Sequence, residues 1–170
     1  MNQNNLVIDS IRTDDIPVMV AAYSEMGWPK KTKLYSKYIQ LQQDGTRDIL
    51  IARYNSSFAG YLTIKWQSDY PPFNDAGIPE INDFSVLAHL RKKKIGSRLM
   101  DEAESRIKQR ASSAGIGVGL TPDYGPAQRL YARRGYVPDG RGLMVDDVPV
   151  SYEQVITVGD QLVLYFTKLL

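Results

Sequence analysis

Apolar residues recur every four positions from Ile95 through Leu99, Ala103 and Ile107 to Ala111. That spacing predicts a long helix with one face turned to a core. Two earlier stretches carry similar stripes. "TDDIPVMVAAYSEM" opens on a Thr/Asp cap and stops at Gly27, and "KKTKLYSKYIQLQQDG" places Leu34, Tyr38 and Leu41 on one face before Gly45. A fourth, compact helix is expected in "GPAQRLYARRGY", with Pro126 near its start and Gly135 just past its end. Arg133 and Arg134 fall in its last turn, where the helix dipole favours cations.

Strand signals fill the gaps. "LVIDSIR" alternates apolar and polar residues, and "DILIARYNSSFAGYLTIKW" is two β-rich runs divided by "NSS", a hairpin signal. "EINDFSVLA" is a further strand, "GIGVGLTP" a short one, and "QLVLYFTKLL" the last, with "RGLMVDDVPV" as its partner. The polar, proline-rich "QSDYPPFNDAGIP" reads as a structureless loop of functional length. The order β-α-α-β-β-β-α-β-α-β-β predicts an α/β fold with a mixed sheet, because hairpins flank the strand–helix–strand crossover. No repeat or linker interrupts it, so one domain over residues 1–170 is expected.

Composition narrows the chemistry. A 43% hydrophobic fraction fits a globular protein, and a net charge of +2 provides no global field toward a polyanion. The absence of cysteine removes thiolate metal sites and cysteine nucleophiles, and a lone histidine, His89, removes a histidine-rich metal site. No metal is expected. "MNQNNLVIDSIR" lacks a basic start followed by a long apolar run, and nothing approaches the roughly 20 apolar residues of a membrane span. A cytoplasmic protein with no membrane partner is the default expectation, and a homodimer is compatible with it.

The chemistry concentrates in "RKKKIGSRLM", residues 91–100. A strand ends near Ala88, a short turn runs from Arg91 to Gly96, and a helix departs. The first N–H groups of a helix lack intrahelical partners and carry partial positive charge. Gly96 admits a bulky anion to the backbone, Ser97 adds a hydroxyl, and Arg91, Lys92, Lys93 and Lys94 ring the spot. These features describe a pyrophosphate site. A solvated charge run is the bland alternative, and nucleic acid is disfavoured because no basic surface with interleaved aromatics accompanies the run. No Walker run is present, and "GIGVGL" has Leu120 where a dinucleotide fingerprint needs glycine.

With those residues in view, "VLAHLRKKKIGSRLM" resembles the acyl-coenzyme A signature of the GNAT N-acetyltransferases, read as Arg91-x-x-Lys94-Ile95-Gly96. "AQRLYARRGY" resembles that superfamily's second signature, and the element order is similar from about residue 6 to 169. Three positions depart from the pattern: Lys94 replaces the first glycine, Tyr124 replaces an asparagine three residues before Ala127, and Ala88 replaces a proline.

The resemblance implies a twisted, mostly antiparallel sheet of about seven strands flanked by about four helices, with two strands splayed at a cofactor cleft. It implies acetyl-CoA as cosubstrate, held by Phe84, Ser85 and Val86 at its acyl end and by Arg91, Lys92, Lys93, Lys94, Ile95, Gly96 and Ser97 at its pyrophosphate. Tyr131 maps onto the tyrosine beside the thioester sulfur, against the alternative of a half-buried core tyrosine. The histone acetyltransferases of the superfamily begin the preceding strand with a similar "EI", which places their base at Glu80. The alternative there is a strand-end glutamate in solvent. The acceptor is an amine-bearing small molecule or peptide, with Trp28, Trp66 and Tyr70 as candidate walls. A non-catalytic acyl-CoA-binding domain is the competing function.

Overall fold

The computed structural model describes residues 5–170, so the opening "MNQN" of the stretch read above for a leader lies outside it. Along the chain the elements are β1 (Leu6–Ser10), α1 (Asp15–Glu25), α2 (Thr32–Gln43), β2 (Arg47–Tyr54), β3 (Ser57–Lys65), α3 (Pro71–Asp75), β4 (Glu80–Val86), α4 (Ile95–Lys108), β5 (Ser113–Gly119), α5 (Gly125–Arg133), β6 (Val137–Val145), β7 (Val148–Pro149) and β8 (Leu162–Leu169). The described residues form a mixed α/β fold with eight mostly antiparallel strands and five α-helices. Two short elements, α3 and β7, separate this order from the expected one.

The chain forms two compact units, one of residues up to Trp66 with Asn82–Arg106, the other of Gln67–Ile81 with Ile107–Leu170. In the first unit the strands run β1-β2-β3-β4. The β2–β3 hairpin turns at Asn55 and Ser56, whose φ values of 50° and 67° suit the primed turns that match strand twist. Its core joins Met19 and Tyr23 of α1, Tyr35 and Tyr38 of α2, Ile49 and Ile51 of β2, and Phe58 and Tyr61 of β3. Ile95, Leu99, Ala103 and Ile107 of the expected α4 stripe are buried, but the helix ends at Lys108, so half-buried Ala111 lies beyond it.

The second unit orders its strands β4-β5-β8-β6-β7. β4 and β5 pair in parallel at only two positions, Glu80↔Gly115 and Ile81↔Ile116, whereas β5 pairs with β8 along its whole length. The glycines of "GIGVGL" have a packing reason. A Cβ on Gly115 would lie 2.3 Å from the Phe73 ring, on Gly117 2.9 Å from Tyr165, and on Gly119 2.5 Å from Tyr124. Residues two apart share a strand face, so one face of β5 is kept bare for aromatic rings.

"QSDYPPFNDAGIP" is not structureless. It folds as α3, with prolines in its first turn, and buries Tyr70 and Phe73 against Met144 and Tyr165. Pro at the first helical positions loses no intrahelical bond, so the prolines that suggested a loop instead open a helix.

β3 and β4 approach closely in the first unit. The Leu87 N–H donates to the Ala59 carbonyl at 2.9 Å, and Thr63 Oγ1 donates to the Asn82 carbonyl at 3.2 Å. A Cβ on Gly60 would stand 2.4 Å from the Ser85 carbonyl oxygen and 2.9 Å from the Val86 Cα. Both are backbone atoms that cannot rotate away. Gly60→Ala is expected to destabilise the protein by roughly 1–3 kcal/mol, the usual cost of overpacking, measured as a lower urea midpoint at unchanged slope. An unchanged midpoint would show that β4 is free to shift.

Candidate active site

The turn before α4 is built from strained backbone. Lys92 and Lys94 have φ of 64° and 60°, the left-handed region that disfavours L residues by about 1–2 kcal/mol. Alternation of left-handed with ordinary residues turns successive N–H groups into one concavity, an arrangement that suits anions. The first backbone bond beyond it runs from the Arg98 N–H to the Lys94 carbonyl at 3.0 Å, so the N–H groups of Ile95 and Gly96 precede the helical ladder. Lys94, which replaces the family's first glycine, adopts the conformation that a glycine would take there.

The four cations are not equivalent. All are exposed, but the Lys93 ammonium lies 4.9 Å from the centroid of the Tyr54 ring. Arg91, Lys92 and Lys94 enter no ion pair among the described residues. Ile95 is buried, so only its backbone faces the turn. Gly96 and Ser97 are half-buried. A Cβ on Gly96 would meet Phe84 Cζ at 3.0 Å and Val86 Cγ2 at 3.7 Å. Gly96 thus seats α4 against β4, a packing role the motif alone did not reveal.

In β4, Phe84 and Val86 point toward Gly96. Asp83 interrupts the strand with φ of 49°. Its Oδ2 accepts from the Tyr38 hydroxyl and from Arg47 Nη1 at 3.4 Å. Sequence reasoning passed over Asp83, although aspartate in mid-strand is itself a signal because strands are poor in it.

Glu80 is 4% exposed, not a strand-end glutamate in solvent. Its Oε2 accepts from the Ser68 hydroxyl at 2.6 Å, and Ser68 Oγ accepts from the Tyr70 N–H at 3.1 Å. Tyr131 is 4% exposed on α5, and its ring tilts toward Tyr136 at 6.1 Å. Burial, and then the neighbouring Tyr124, push its phenol well above the ordinary value. Tyr124 covers Gly119 and donates to Asp160 Oδ1 at 3.1 Å; burial first and Asp160 second raise its phenol to about 12. Gln128 Nε2 reaches the Gly119 carbonyl at 2.9 Å.

Among the candidate acceptor walls, Trp28 is 56% exposed. Trp66 is half-buried and donates from Nε1 to Asp48 Oδ1 at 3.0 Å. Tyr70 is buried, stacked on Tyr165 with centroids 3.7 Å apart, and donates to Asp139 Oδ2 at 2.9 Å. His89 lies exposed in a short 3-10 turn. Among the described residues no group of three or more His, Asp or Glu is placed to hold a metal ion, and no helix is long and apolar enough to cross a membrane.

A mixed sheet with a two-pair parallel ladder, and a basic left-handed turn opening the helix after β4, define the α/β fold. The chain belongs to the acetyltransferase (GNAT) family, whose sequence profile matches residues 15–136. A comparison with curated proteins finds no match. Solved structures show the same fold at low identity. An N-acetyltransferase from Staphylococcus aureus Mu50 is 15% identical, covering 97% of this chain and 98% of that one with a TM-score of 0.72. A ribosomal-protein-alanine N-acetyltransferase from Brucella melitensis is 15% identical over 96% and 99%, TM-score 0.69. RimL, a ribosomal L7/L12 alpha-N-protein acetyltransferase solved with coenzyme A, is 11% identical over 99% and 95%, TM-score 0.73.

The left-handed turn makes Lys94 a backbone position first and a side chain second. Lys94→Gly should melt no lower than wild type, because relief of strain offsets the greater freedom of the unfolded chain. Lys94→Ile, β-branched and far worse at positive φ, should unfold at least about 1 kcal/mol more easily than Lys94→Gly in urea. Equal stabilities would remove the strain.

Proposed function

We propose that the protein is an N-acetyltransferase that moves an acetyl group from acetyl-CoA to a primary amine of a small molecule or peptide by direct attack. The observation that carries this reading is the β4–α4 turn, where Lys92 and Lys94 take left-handed backbone in a run of four exposed cations in a chain of the GNAT family. The pyrophosphate of acetyl-CoA suits that turn, which offers backbone donors, the helix dipole and three cations outside any ion pair. Phe84, Ser85 and Val86 supply strand backbone to the acyl end, as strand edges do for extended ligands.

The acceptor must lose a proton before it attacks, since an alkylammonium titrates near ~10. Glu80 is the proposed base, acting through the Ser68 hydroxyl that already donates to it. The amine nitrogen bonds to the thioester carbonyl carbon, backbone N–H groups stabilise the oxyanion, and the C–S bond breaks. Tyr131 is the proposed donor to the departing sulfur. With no cysteine in the chain, direct transfer is favoured over a thiol relay. Trp28 and Trp66 remain proposed acceptor walls, whereas Tyr70, buried and stacked on Tyr165, does not. The neighbours named as ribosomal-protein acetyltransferases keep a peptide amine among the acceptors.

An amine panel read by release of free coenzyme A tests the activity. On any acceptor it finds, Tyr131→Phe should turn over ~10²–10⁴-fold more slowly, the usual loss for a positioned proton donor. Its stability should fall by no more than roughly 0.5–1.5 kcal/mol, one buried hydrogen bond. Wild-type turnover in that variant would make Tyr131 a packing residue only.

Glu80→Gln separates the base from its neighbours. Turnover should drop at neutral pH and recover in part as pH rises toward the amine's own titration, where no base is required. A pH profile parallel to wild type would remove Glu80 from the chemistry.

A further inference from the structure

Residues 150–161 of the second unit join β7 to β8 without helix or strand. Within them runs Val155-Ile156-Thr157-Val158, built wholly from β-branched, strand-prone residue types. The sequence suits a strand, and the fold supplies no ladder for one. Among the described residues the backbone N–H groups of 155–158 donate to no protein acceptor, and of their carbonyls only that of Thr157 is used, by Gln161 Nε2 at 3.1 Å. Ile156 is half-buried, whereas Val155 is 97% and Val158 62% exposed, with Tyr152 fully exposed nearby. A local preference at odds with the surrounding fold is uncommon in natural sequences, and open backbone groups are ready to pair with another chain.

Charge around the run is one-sided. From residue 142 to 167 the chain has no lysine or arginine, but it holds Asp146, Asp147, Glu153 and Asp160. Asp147 accepts from the Tyr165 hydroxyl and Asp160 from that of Tyr124, neutral donors that do not cancel a charge. Asp146 and Glu153 enter no ion pair among the described residues. Glu153 and Asp160 bracket the run at either end. A second copy of the chain is therefore a poor partner. Antiparallel pairing of 155–158 with itself brings Glu153 to Asp160 of the second copy, at both ends, and like charges placed opposite destabilise a ladder. Nucleic acid and anionic lipid are repelled for the same reason.

We propose that residues 155–158 are a docking strand for a basic partner polypeptide: an extended segment with β-branched residues at its centre and a lysine or arginine at each end adds to them as a neighbouring strand. In this mode main-chain hydrogen bonds give affinity and alternate side chains give specificity. The ladder takes up N–H and C=O groups that the fold leaves to water. Val155 and Val158 lose their exposure against the added strand, and its end cations meet Glu153 and Asp160 in charge-assisted contacts. Without the partner, the same two carboxylates keep copies of the chain apart. The docking strand stands apart from the acetyltransferase reading, because it needs neither acyl donor nor amine acceptor.

The probes are end-blocked peptides: the basic "KTVTVTVK", its charge-reversed form "ETVTVTVE" and the proline-interrupted "KTVPVTVK". Each is titrated into the full chain without cofactor and followed by NMR. The basic peptide should bind about tenfold or more tightly than either of the others, weaken as salt is raised, and shift the amide resonances of 155–158. Glu153→Lys should remove most of the preference for the basic over the charge-reversed peptide. Val158→Pro, which deletes an N–H that no protein acceptor uses, should bind the basic peptide about tenfold more weakly. Equal binding of the basic and charge-reversed peptides by wild type, or shifts centred elsewhere, would overturn the proposal whether or not either variant folds. A wild-type dimer with these amides already protected from exchange would overturn it in favour of a second copy. Release of coenzyme A enters none of these readouts, so loss of the transferase reading and loss of the docking strand are told apart.

Discussion

The backbone of β4 from Asp83 to Val86 is the constraint on which the first unit depends. Three contacts fix it, each of a different kind. Tyr38 and Arg47 hold the left-handed Asp83 by its carboxylate. Gly60 lets β3 come within backbone contact of Ser85 and Val86. Gly96 lets α4 come down on Phe84. Core packing at native density transmits small displacements rather than absorbing them. The strand, the helix N-terminus and the basic turn are therefore set by one another, and a ligand that needs all three finds them placed in advance.

Charge follows the same economy. Arg53 pairs with Asp9 at 3.3 Å and Asp15 at 2.5 Å, and Arg106 with Glu102 at 2.8 Å and Asp48 at 3.1 Å. Both arginines are largely buried, with side chains 20% and 27% exposed. The pairs quench positive charge elsewhere in the first unit. In the turn, Arg91, Lys92 and Lys94 stand outside any ion pair among the described residues. A net charge of only +2 thus hides a local field, which is why total charge argues against a polyanion and local sequence argues for one pyrophosphate.

Periodicity and turn chemistry made most of the fold legible. The α4 stripe falls on buried residues, and "NSS" is the β2–β3 turn, because both signals are local and both agree with the tertiary contacts. α3 escaped because its first-turn prolines and polar residues resemble a loop, and only the burial of Tyr70 and Phe73 by Tyr165, nearly a hundred residues away in the chain, makes it a helix. The family resemblance pointed to the turn and to Tyr131 as candidates. It could not disclose Asp83, whose meaning lies in Tyr38 and Arg47, residues far apart in sequence that carry no motif. Nor could it show that Glu80 is buried, since the Ser68 contact arises from the same misread segment.

Tyr131 raises a point of acid–base physics. Burial holds its phenol above the ordinary value of about 10, whereas a thiol titrates near 8.5. Complete transfer of its proton to a thiolate is therefore uphill, and more so the better the residue is buried. A hydrogen bond donated to the sulfur as the C–S bond lengthens meets no such penalty, because the proton never has to leave the oxygen. Such a donor is always protonated at neutral pH and regenerates without a second step. The thiolate can then take its proton from water once the products separate. A phenol kept neutral by burial is therefore suited to the donor role proposed for it.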